Sequence, residues 1–542
     1  MSQAKKTSMG RTFSTVALLT IASKVIGMIR DILVARAYGV TPLADAYNYA
    51  LLFTGNILIL FGGLGGPFHQ TTLLVLNPKK DDPDSGTLIS QILAITALIL
   101  FLAAALLFIL APEILHRVFN DYGATAAPVD RLVFFREATI QLRWMSPLVV
   151  LSGLIGVTYG VLNVFERIFW PSLSPAIASV AIIVALFLFP SDPSLPLEQR
   201  TSLPLAIGAL IGAFGQLFAQ IPDMFRCGLT YKFSLTPSPE LRKYLSILWP
   251  LFVVTSIGQL TIYIDSTFAS YCEPGTWTAV SNANRLMQLP LGVLITAILV
   301  PIVARLQDHA KAGDPAVVLH EFFRALRFML FVSFPLTMVL LVLPRPIIEC
   351  LFQRGSWTQE ATNLVALAML YLVPSLVIYI GRDLISRVFI AYEDTKTPYY
   401  VGIAAIAVKT ALNYCFLFYL HMGIAGLSLS TSLITVFNFT CLAVLLRRKI
   451  GPLGMWKLFL PFLIMLVASV VAGAATYFVY TFMGPLMAGS KGMLHTLALL
   501  AGISAASGVG MVIYSGITIA CRLEEPTMLM QRLKILPKEI DQ

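Results

Sequence analysis

Residues 87–111 read TLISQILAITALILFLAAALLFILA, a run without a single charged side chain. About 20 apolar residues are enough for a helix to cross the hydrocarbon core of a bilayer. Similar runs recur along the whole chain, which is 57% hydrophobic and only 12% charged. Soluble domains carry about 25% charged residues. The composition therefore predicts a polytopic membrane protein.

The apolar runs predict an all-α protein with about 14 transmembrane helices. Lipid offers no hydrogen-bond partners to the backbone, so only helices and closed barrels cross it, and these runs lack the period-two alternation of barrel strands. The first run is too long and too charged for a cleaved signal peptide, and we expect it to remain as a transmembrane helix. The predicted spans are residues 14–38, 43–76, 87–111, 134–163, 170–190, 203–224, 242–271, 278–306, 325–344, 360–391, 398–420, 423–446, 456–482 and 493–521.

Lysine and arginine are concentrated in alternate connections between the predicted spans. By the positive-inside rule the richer connections lie in the cytoplasm. They contain Lys5, Lys6, Arg11, Lys79, Lys80, Arg167, Arg226, Lys232, Arg305, Lys311, Lys396, Arg447, Arg448, Lys449 and the basic residues from Arg522 to Lys538. We therefore expect a multi-pass protein with both termini in the cytoplasm. The net charge of +10 reflects this bias and contact with anionic membrane lipids, and it gives no reason to expect nucleic-acid binding.

The sequence contains no recognisable catalytic or metal-binding motif. Its six cysteines and six histidines are dispersed, without the spacing of a disulfide framework or a zinc site. The stretch GPLMAGSK at 484–491 lacks the Gly-Lys-Ser/Thr order of a phosphate-binding loop. We therefore expect no cofactor, no metal and no ATP site. The protein is predicted to be a transporter, not an enzyme, driven by ion gradients or by the membrane potential.

An internal repeat is visible as two nearly equal offsets. At an offset of 227 residues, an internal proline, an aromatic-Glu pair and a helix-opening proline recur: Pro147, Glu166 and Pro171 correspond to Pro374, Glu393 and Pro398. At an offset of 234, Asn48, Leu52 and Pro67 correspond to Asn282, Leu286 and Pro301.

The repeat predicts two six-helix lobes related by a pseudo-two-fold axis along the membrane normal, followed by two further helices. We expect lobes at residues 1–230 and 231–450, and a C-terminal pair with a cytoplasmic tail at 451–542. In transporters built from parallel repeats, the substrate site lies between the halves near the midplane.

The first predicted helix carries four charges, in a place where each costs about 3 kcal/mol. Lys24 and Asp31 are seven residues apart and share one helix face, while Arg30 lies about 100° away. Structural ion pairs of Lys24 with Asp31, and of Arg36 with Asp45, are one interpretation of these residues. Arg30 lacks an obvious local partner, so the pattern favours a cavity-facing role for it.

In the second half, Arg285 lies well inside the eighth predicted helix, in the run SNANRLMQLPLG at 281–292. Asn282 and Asn284 lie within one turn of it, and the same predicted helix contains no acidic residue. An arginine among amides is typical of an anion site, because guanidinium binds phosphate or carboxylate through two parallel hydrogen bonds. Snorkelling of Arg285 to an interface is the alternative.

Four further charged residues within the predicted spans are candidate site residues. Asp265 and Lys409 are isolated and of opposite sign, which indicates either a buried pair or, with Asn413 one turn beyond Lys409, a site for a coupling ion. Arg382 and Asp383 either line the same cavity or stabilise their own lobe.

Six stretches resemble the MurJ (MviN) family of lipid II flippases, in the multidrug/oligosaccharidyl-lipid/polysaccharide (MOP) exporter superfamily. The motifs of the first and eighth predicted helices together are the most specific. The stretches are SKVIGMIRDILVARAYG at 23–39, LADAYNYA at 43–50, NANRLMQLPLGVL at 282–294, LFQRGSWT at 351–358, DTKTPYYVGIAAI at 394–406 and GIAGLSLSTSL at 423–433.

The resemblance implies a V-shaped pair of lobes around a cationic cavity, with a groove for the polyprenyl tail beside the last two helices. It implies transport of undecaprenyl-diphosphate-linked disaccharide-pentapeptide (lipid II) from the cytoplasmic to the outer leaflet of a bacterial inner membrane, and contact with cell-wall synthesis machinery. The family's functional positions fall on Lys24, Arg30, Asp31, Asp45 and Arg285. A sodium-site acid of some members falls on Asp265.

Two departures from the family pattern leave alternatives open. The family often has Asn-Leu-Leu-Arg-Arg where this chain has NILIL at 56–60, and Glu-Gly-Ala-Phe-Ser is replaced within GGLGGPFH at 62–69. The alternatives are a flippase for another polyprenyl-diphosphate oligosaccharide, a cation-coupled exporter of small molecules and a non-transporting scaffold. The coupling ion, whether sodium, proton or chloride, is also open, because the Lys409 ammonium is able to replace a bound cation.

Overall fold

The computed structural model describes residues 2–55, 62–63, 66–80, 82, 84–123, 127–229, 238–294, 315–451, 456–487 and 492–526. These residues form helices joined by short turns, and no strand occurs among them. The prediction of an all-helical fold is confirmed.

The chain divides into two compact units. The first comprises residues 1–281 and 354–361, and the second comprises residues 282–353 and 362–542. The finer division into two six-helix lobes and a C-terminal pair stays a prediction.

The first unit contains eleven described helices and the start of a twelfth. Helix α8 packs against α1 and α9, α6 packs against α2, and α3 and α4 both pack against α7. The bounds are α1 Ser2–Tyr38, α2 Pro42–Phe53, α3 Pro67–Leu76, α4 Ser85–Ile109, α5 Ala111–Val118, α6 Pro128–Met145, α7 Leu148–Val164, α8 Phe169–Leu188, α9 Leu203–Phe218, α10 Ile221–Phe225, α11 Pro239–Ala269 and α12 Thr276–Leu294.

The second unit contains most of α12 and the remaining described helices. Helices α19 and α20 pack against each other, α13 packs against α16 and α19, and α18 packs against α16 and α17. The bounds are α13 Pro315–Val342, α14 Pro344–Phe352, α15 Gln359–Leu372, α16 Ser375–Ala391, α17 Lys396–Tyr414, α18 Gly423–Ile450, α19 Trp456–Met487 and α20 Met493–Ala520.

In the described part of the chain, nine helices are long and apolar enough to cross a membrane, and up to eleven if each of two bent pairs is one span. These match eleven of the predicted spans. The other three predicted spans, 14–38, 43–76 and 278–306, each include residues or side chains outside the described part. The total of about 14 therefore stays a prediction.

The repeated sequence has the same local structure at both positions. Helices α7 and α16 both have 17 residues and both follow a proline. Each ends in a left-handed glutamate, Glu166 or Glu393, with φ of 58°. The same two backbone bonds close each end, as in a Schellman motif: Glu166 N to Asn163 O and Arg167 N to Leu162 O, and Glu393 N to Ile390 O and Asp394 N to Phe389 O.

Residues 354–361 pack against the C-terminal end of α1. Ser356 N donates to Arg36 O at 2.9 Å, and Ser356 Oγ donates to Ala37 O at 3.0 Å. Arg200 also donates to Ala37 O, at 3.2 Å. The last carbonyls of a helix have no partner within the helix, so this segment and Arg200 supply the missing donors. The backbones come so close that a Cβ on Gly355 would overlap the Arg36 carbonyl oxygen.

A pair of glycine substitutions tests this close approach. Gly355 and Gly228 both have left-handed φ, +62° and +72°, but a Cβ on Gly228 would meet no atom within 4 Å. We expect Gly228→Ala to lower the free energy of unfolding by about 1 kcal/mol, and Gly355→Ala to lower it by about 3 kcal/mol because overlap adds to strain. Unfolding by SDS titration in mixed micelles measures both. Equal losses would contradict the packing of this segment on α1.

Candidate functional site

Arg30 and Asp31 form a hydrogen-bonded ion pair on α1. Asp31 Oδ1 accepts from Arg30 Nε at 3.0 Å and from Arg30 Nη2 at 2.8 Å. The third contact of the guanidinium is donation from Nη1 to Ser179 Oγ of α8 at 3.4 Å. The expectation that Arg30 has no local partner is therefore wrong. Adjacent helical residues point about 100° apart, but the long arginine side chain reaches back to its neighbour.

Lys24 is half-buried on the same helix. Asp31 is engaged by Arg30, and among the described residues Lys24 forms no ion pair with it. The expected Lys24–Asp31 pair is thus wrong. Lys24 supplies a positive charge that this carboxylate does not neutralise.

Asp45 stabilises the start of α12 and does not pair with Arg36. One carboxylate oxygen accepts from Thr278 N at 2.9 Å and from Thr278 Oγ1 at 2.6 Å. The other accepts from Gly275 N at 2.6 Å and from Tyr122 Oη at 2.9 Å. The expected Arg36–Asp45 pair is wrong. The first amides of a helix need acceptors, and a carboxylate there also meets the positive end of the helix dipole.

The position of Asp45 explains how a carboxylate is tolerated in the protein interior. Its side chain is only 1% exposed, and four donors surround its two oxygens, which is the condition for burying a charge. Asn48, one turn further along α2, also donates to Thr278 Oγ1, at 3.0 Å. Asp45 and Asn48 together attach α2 to the N-terminus of α12, the helix that carries Asn284 and Arg285 further along.

Arg285 is half-buried and lies at least nine residues from either end of the described α12, Thr276–Leu294. Its Nη1 donates to Asn282 Oδ1 at 3.3 Å. Asn282 is 4% exposed and Asn284 is half-buried. This central position in the helix is unfavourable for snorkelling, which needs a residue near a helix end.

In the second unit, a polar group joins α17 to α18. The ammonium of Lys409, which is 4% exposed, donates to Thr431 Oγ1 at 3.2 Å. The fully buried Asn413 accepts from the Ser430 hydroxyl. Asp265 lies on α11 of the first unit, and its pairing with Lys409 stays a prediction.

The charges of α16 are satisfied mainly along that helix. Asp383 Oδ2 accepts from Arg387 Nε at 3.0 Å, four residues later. The guanidinium of Arg382 lies over the Tyr379 ring, 5.4 Å from its centroid. These contacts fit the interpretation that Arg382 and Asp383 stabilise their own helix.

Sequence reasoning missed a second buried carboxylate, Glu137 of α6. It is 1% exposed, and its Oε2 accepts from Ser202 N and from Thr201 Oγ1, both at 2.8 Å, at the start of α9. Arg136 lies 3.2 Å from its other oxygen. The sequence feature that could have identified Glu137 is the position of an acidic residue within the predicted span 134–163. Glu137 therefore stabilises α9 as Asp45 stabilises α12.

Comparison with known proteins identifies the family. The family model described as "Lipid II flippase MurJ" matches residues 34–496. The chain belongs to the MurJ family of lipid II flippases. The prediction from the motifs is confirmed, and membership makes this chain a transporter of the bacterial inner membrane.

Relatives of MurJ type cover most of the chain. A probable lipid II flippase MurJ of Synechocystis sp. is 30% identical over 463 residues, 83% of this chain and 84% of the relative. The probable lipid II flippase MurJ of Vibrio cholerae is 25% identical over 526 residues, 93% of this chain and 95% of the relative.

Solved structures agree on the fold. Lipid II flippase MurJ in an inward closed conformation has a TM-score of 0.74 at 23% identity, covering 94% of this chain and 98% of that chain. An inward-facing multidrug resistance MATE family transporter of the MOP superfamily has a TM-score of 0.63 at 15% identity, covering 81% and 98%. This chain therefore shares the fold of these two transporters.

Substitution of Asp45 tests its role as a helix cap. Asp45→Ala leaves the donors of Gly275, Thr278 and Tyr122 without their acceptor, and we expect it to lower the free energy of unfolding by about 3 kcal/mol. Asp45→Asn keeps one acceptor oxygen and is expected to lose about half as much. Glu113→Ala removes an exposed carboxylate paired with Arg117 and is the control, with a loss below about 1 kcal/mol. If Asp45→Ala matches this control in an SDS titration, Asp45 does not hold α12.

Proposed function

We propose that this chain moves lipid II from the cytoplasmic to the periplasmic leaflet of the bacterial inner membrane by alternating access. The observation that carries the proposal is the family match over residues 34–496. The two intramembrane arginines that the sequence singles out are each oriented by a neighbouring side chain, which supports the same function. Both termini lie in the cytoplasm in this proposal, and no chemical conversion of the substrate takes place.

The diphosphate of lipid II is the group that the arginines bind. A guanidinium has five N–H donors in a fixed plane. Arg30 uses three of them on Asp31 and Ser179, and two remain for phosphate oxygens. Asp31 and Ser179 fix the orientation of the guanidinium in advance, which reduces the entropy lost when the anion binds.

Arg285 binds the same diphosphate from the other half of the sequence, and Asn282 and Asn284 surround it with amides. Lys24 adds a third positive charge. Asp45 acts indirectly, because it fixes the N-terminus of the helix that carries Arg285. The polyprenyl tail follows the apolar helices α19 and α20, which belong to the region 451–542.

The membrane potential supplies a driving force for this direction of transport. A diphosphate with about two negative charges gains about 2 × 2.3 ≈ 4.6 kcal/mol on moving outward across about 100 mV, inside negative. This holds if the charges of the protein move little. No ATP site is required, and the buried Lys409 ammonium takes the place of a bound sodium ion.

The Arg285→Ala variant tests the proposed anion site. In a bacterium depleted of its own lipid II flippase, we expect the wild-type chain to restore growth and outer-leaflet lipid II, Arg285→Lys to restore them in part, and Arg285→Ala to restore neither. Lysine keeps the charge but loses the planar pair of donors. Arg345→Ala, at an exposed position on α14, is the matched control and should behave as wild type.

Membrane insertion of each variant is checked by immunoblot of the membrane fraction. Full complementation by inserted Arg285→Ala would rule out the role assigned to this arginine.

A flippase for another polyprenyl-diphosphate oligosaccharide is the second candidate. The NILIL sequence at 56–60, which lacks the arginine pair common in the family, favours it; these residues lie outside the described part. Failure of the wild-type chain to restore outer-leaflet lipid II, together with rescue of a strain lacking an oligosaccharide-lipid flippase, would select this candidate.

A further inference from the structure

His69 is a buried titratable residue that the transport proposal does not use. It lies in the first turn of α3, within the GGLGGPFH run that departs from the family pattern, and is 7% exposed. Its Nε2 lies 2.6 Å from the Asn163 amide nitrogen in the last turn of α7. The other amide atom, Asn163 Oδ1, is buried and has no hydrogen-bond partner within the described part of the chain. An ionisable side chain within a predicted membrane span is a candidate functional group.

The two helices are in backbone contact beside this pair. A Cβ on Gly160, one turn before Asn163, would lie 2.5 Å from Thr72 Cβ and 3.0 Å from His69 O. Closely packed interiors leave side chains little room to move. A change in the protonation state of His69 therefore has to be accommodated by the amide beside it.

Asn163 is able to serve both protonation states of His69. With neutral His69, the amide nitrogen donates to the Nε2 lone pair. With an imidazolium, Nε2 carries a proton, and rotation of the amide by about 180° presents Oδ1 as the acceptor. The second arrangement also gives Oδ1 the donor that it lacks in the first. Each protonation state thus has a hydrogen-bonded arrangement, as a reversible proton site requires.

The surrounding charges are largely balanced. Lys79 pairs with Glu240 of α11 at 2.9 Å, and Arg167 lies 3.4 Å from Asp223. The Lys80 ammonium lies over the Phe165 ring, 5.6 Å from its centroid. The ionisable groups on the elements packed around His69 are Lys79 and Lys80 after α3, Tyr159 on α7, Glu166 and Arg167 after α7, and Glu240, Arg242, Lys243, Tyr244, Tyr263 and Asp265 on α11.

We propose that His69 and Asn163 form a proton-binding site of this transporter, in which uptake of one proton on Nε2 is coupled to rotation of the Asn163 amide. The effect on transport rests on the proposed lipid II flipping. Asn163 O accepts from Glu166 N at 3.0 Å, at the turn that leads into α8. Helix α8 in turn carries Ser179, the partner of Arg30. Protonation therefore acts on the turn before the helix that orients the anion-binding arginine.

Proton binding is measured directly on the full chain in lipid nanodiscs. Histidine labelled with ¹⁵N reports the protonation of each imidazole by NMR, and His69→Gln identifies the signal of His69. We expect this signal to titrate reversibly within the range of about pH 4.5 to 8. In Asn163→Asp, the added carboxylate stabilises the imidazolium, so the midpoint should move to higher pH by one unit or more. A His69 signal that stays in one protonation state over the whole range overturns the proposal.

The transport consequence is measured as the flipping rate of labelled lipid II in proteoliposomes at symmetrical pH. Between pH 5.5 and 7.5 we expect the wild-type rate to change by about threefold or more, whereas the His69→Gln rate stays constant. His320→Gln replaces an exposed histidine of α13 and should keep the wild-type pH profile. A wild-type pH profile in His69→Gln overturns the proposal.

The two assays separate the two proposals. If His69 titrates but the wild-type chain does not flip lipid II at any pH, the proposed function fails and the proton site stands. If His69→Gln does not fold, the Asn163→Asp midpoint decides, and an unchanged midpoint overturns the proposal.

Discussion

The interior of a membrane gives a charged or polar group no water to bind, so each such group needs a partner within the protein. Several charged residues in the described part of the chain meet this requirement, some with a neighbouring residue and others with a helix far along the sequence. Asp31 takes two N–H groups of its neighbour Arg30. The buried acids Asp45 and Glu137 each accept amide hydrogens at the start of another helix. These contacts connect the apolar helices at defined points, which apolar packing alone does not specify.

The buried carboxylates of Asp45 and Glu137 each stabilise the start of another helix. The Asp45 carboxylate lies at the N-terminus of α12, where the helix dipole and four hydrogen-bond donors stabilise its negative charge. Arg285 lies further along the same helix, so Asp45 fixes the N-terminus of the helix that carries this arginine. Arg30 is oriented by its ion pair with Asp31, and the carboxylate neutralises part of the positive charge of the guanidinium.

The sequence predicted the features that depend on local pattern. Long apolar runs are enough to predict an all-helical membrane fold, and the motif around Arg30, with that around Arg285, was enough to predict the family. The repeat of Glu166 at Glu393 was also visible, although its shared φ of 58° was not, because glutamate seldom takes the left-handed conformation.

The partners of the charged residues were not predictable in the same way. Helical spacing suggested Lys24 as the partner of Asp31. The carboxylate instead accepts hydrogen bonds from Arg30, the residue directly before it. Nearness in sequence suggested Arg36 for Asp45, whereas its partners Gly275 and Thr278 are more than 200 residues away. A helix cap supplied by a distant helix leaves no local signature, and neither does the pair of His69 with Asn163.

Flipping by the purified chain is the most direct test of the central claim, that oriented arginines carry the diphosphate of lipid II across the membrane. Dye-labelled lipid II is incorporated in vesicles, and an impermeant reductant reports arrival of the dye in the outer leaflet. We expect rapid arrival with the wild-type chain and with Arg345→Ala, and a rate lowered about tenfold or more by either Arg30→Ala or Arg285→Ala. A wild-type rate no faster than that of protein-free vesicles, or unchanged rates in both arginine variants, would contradict it.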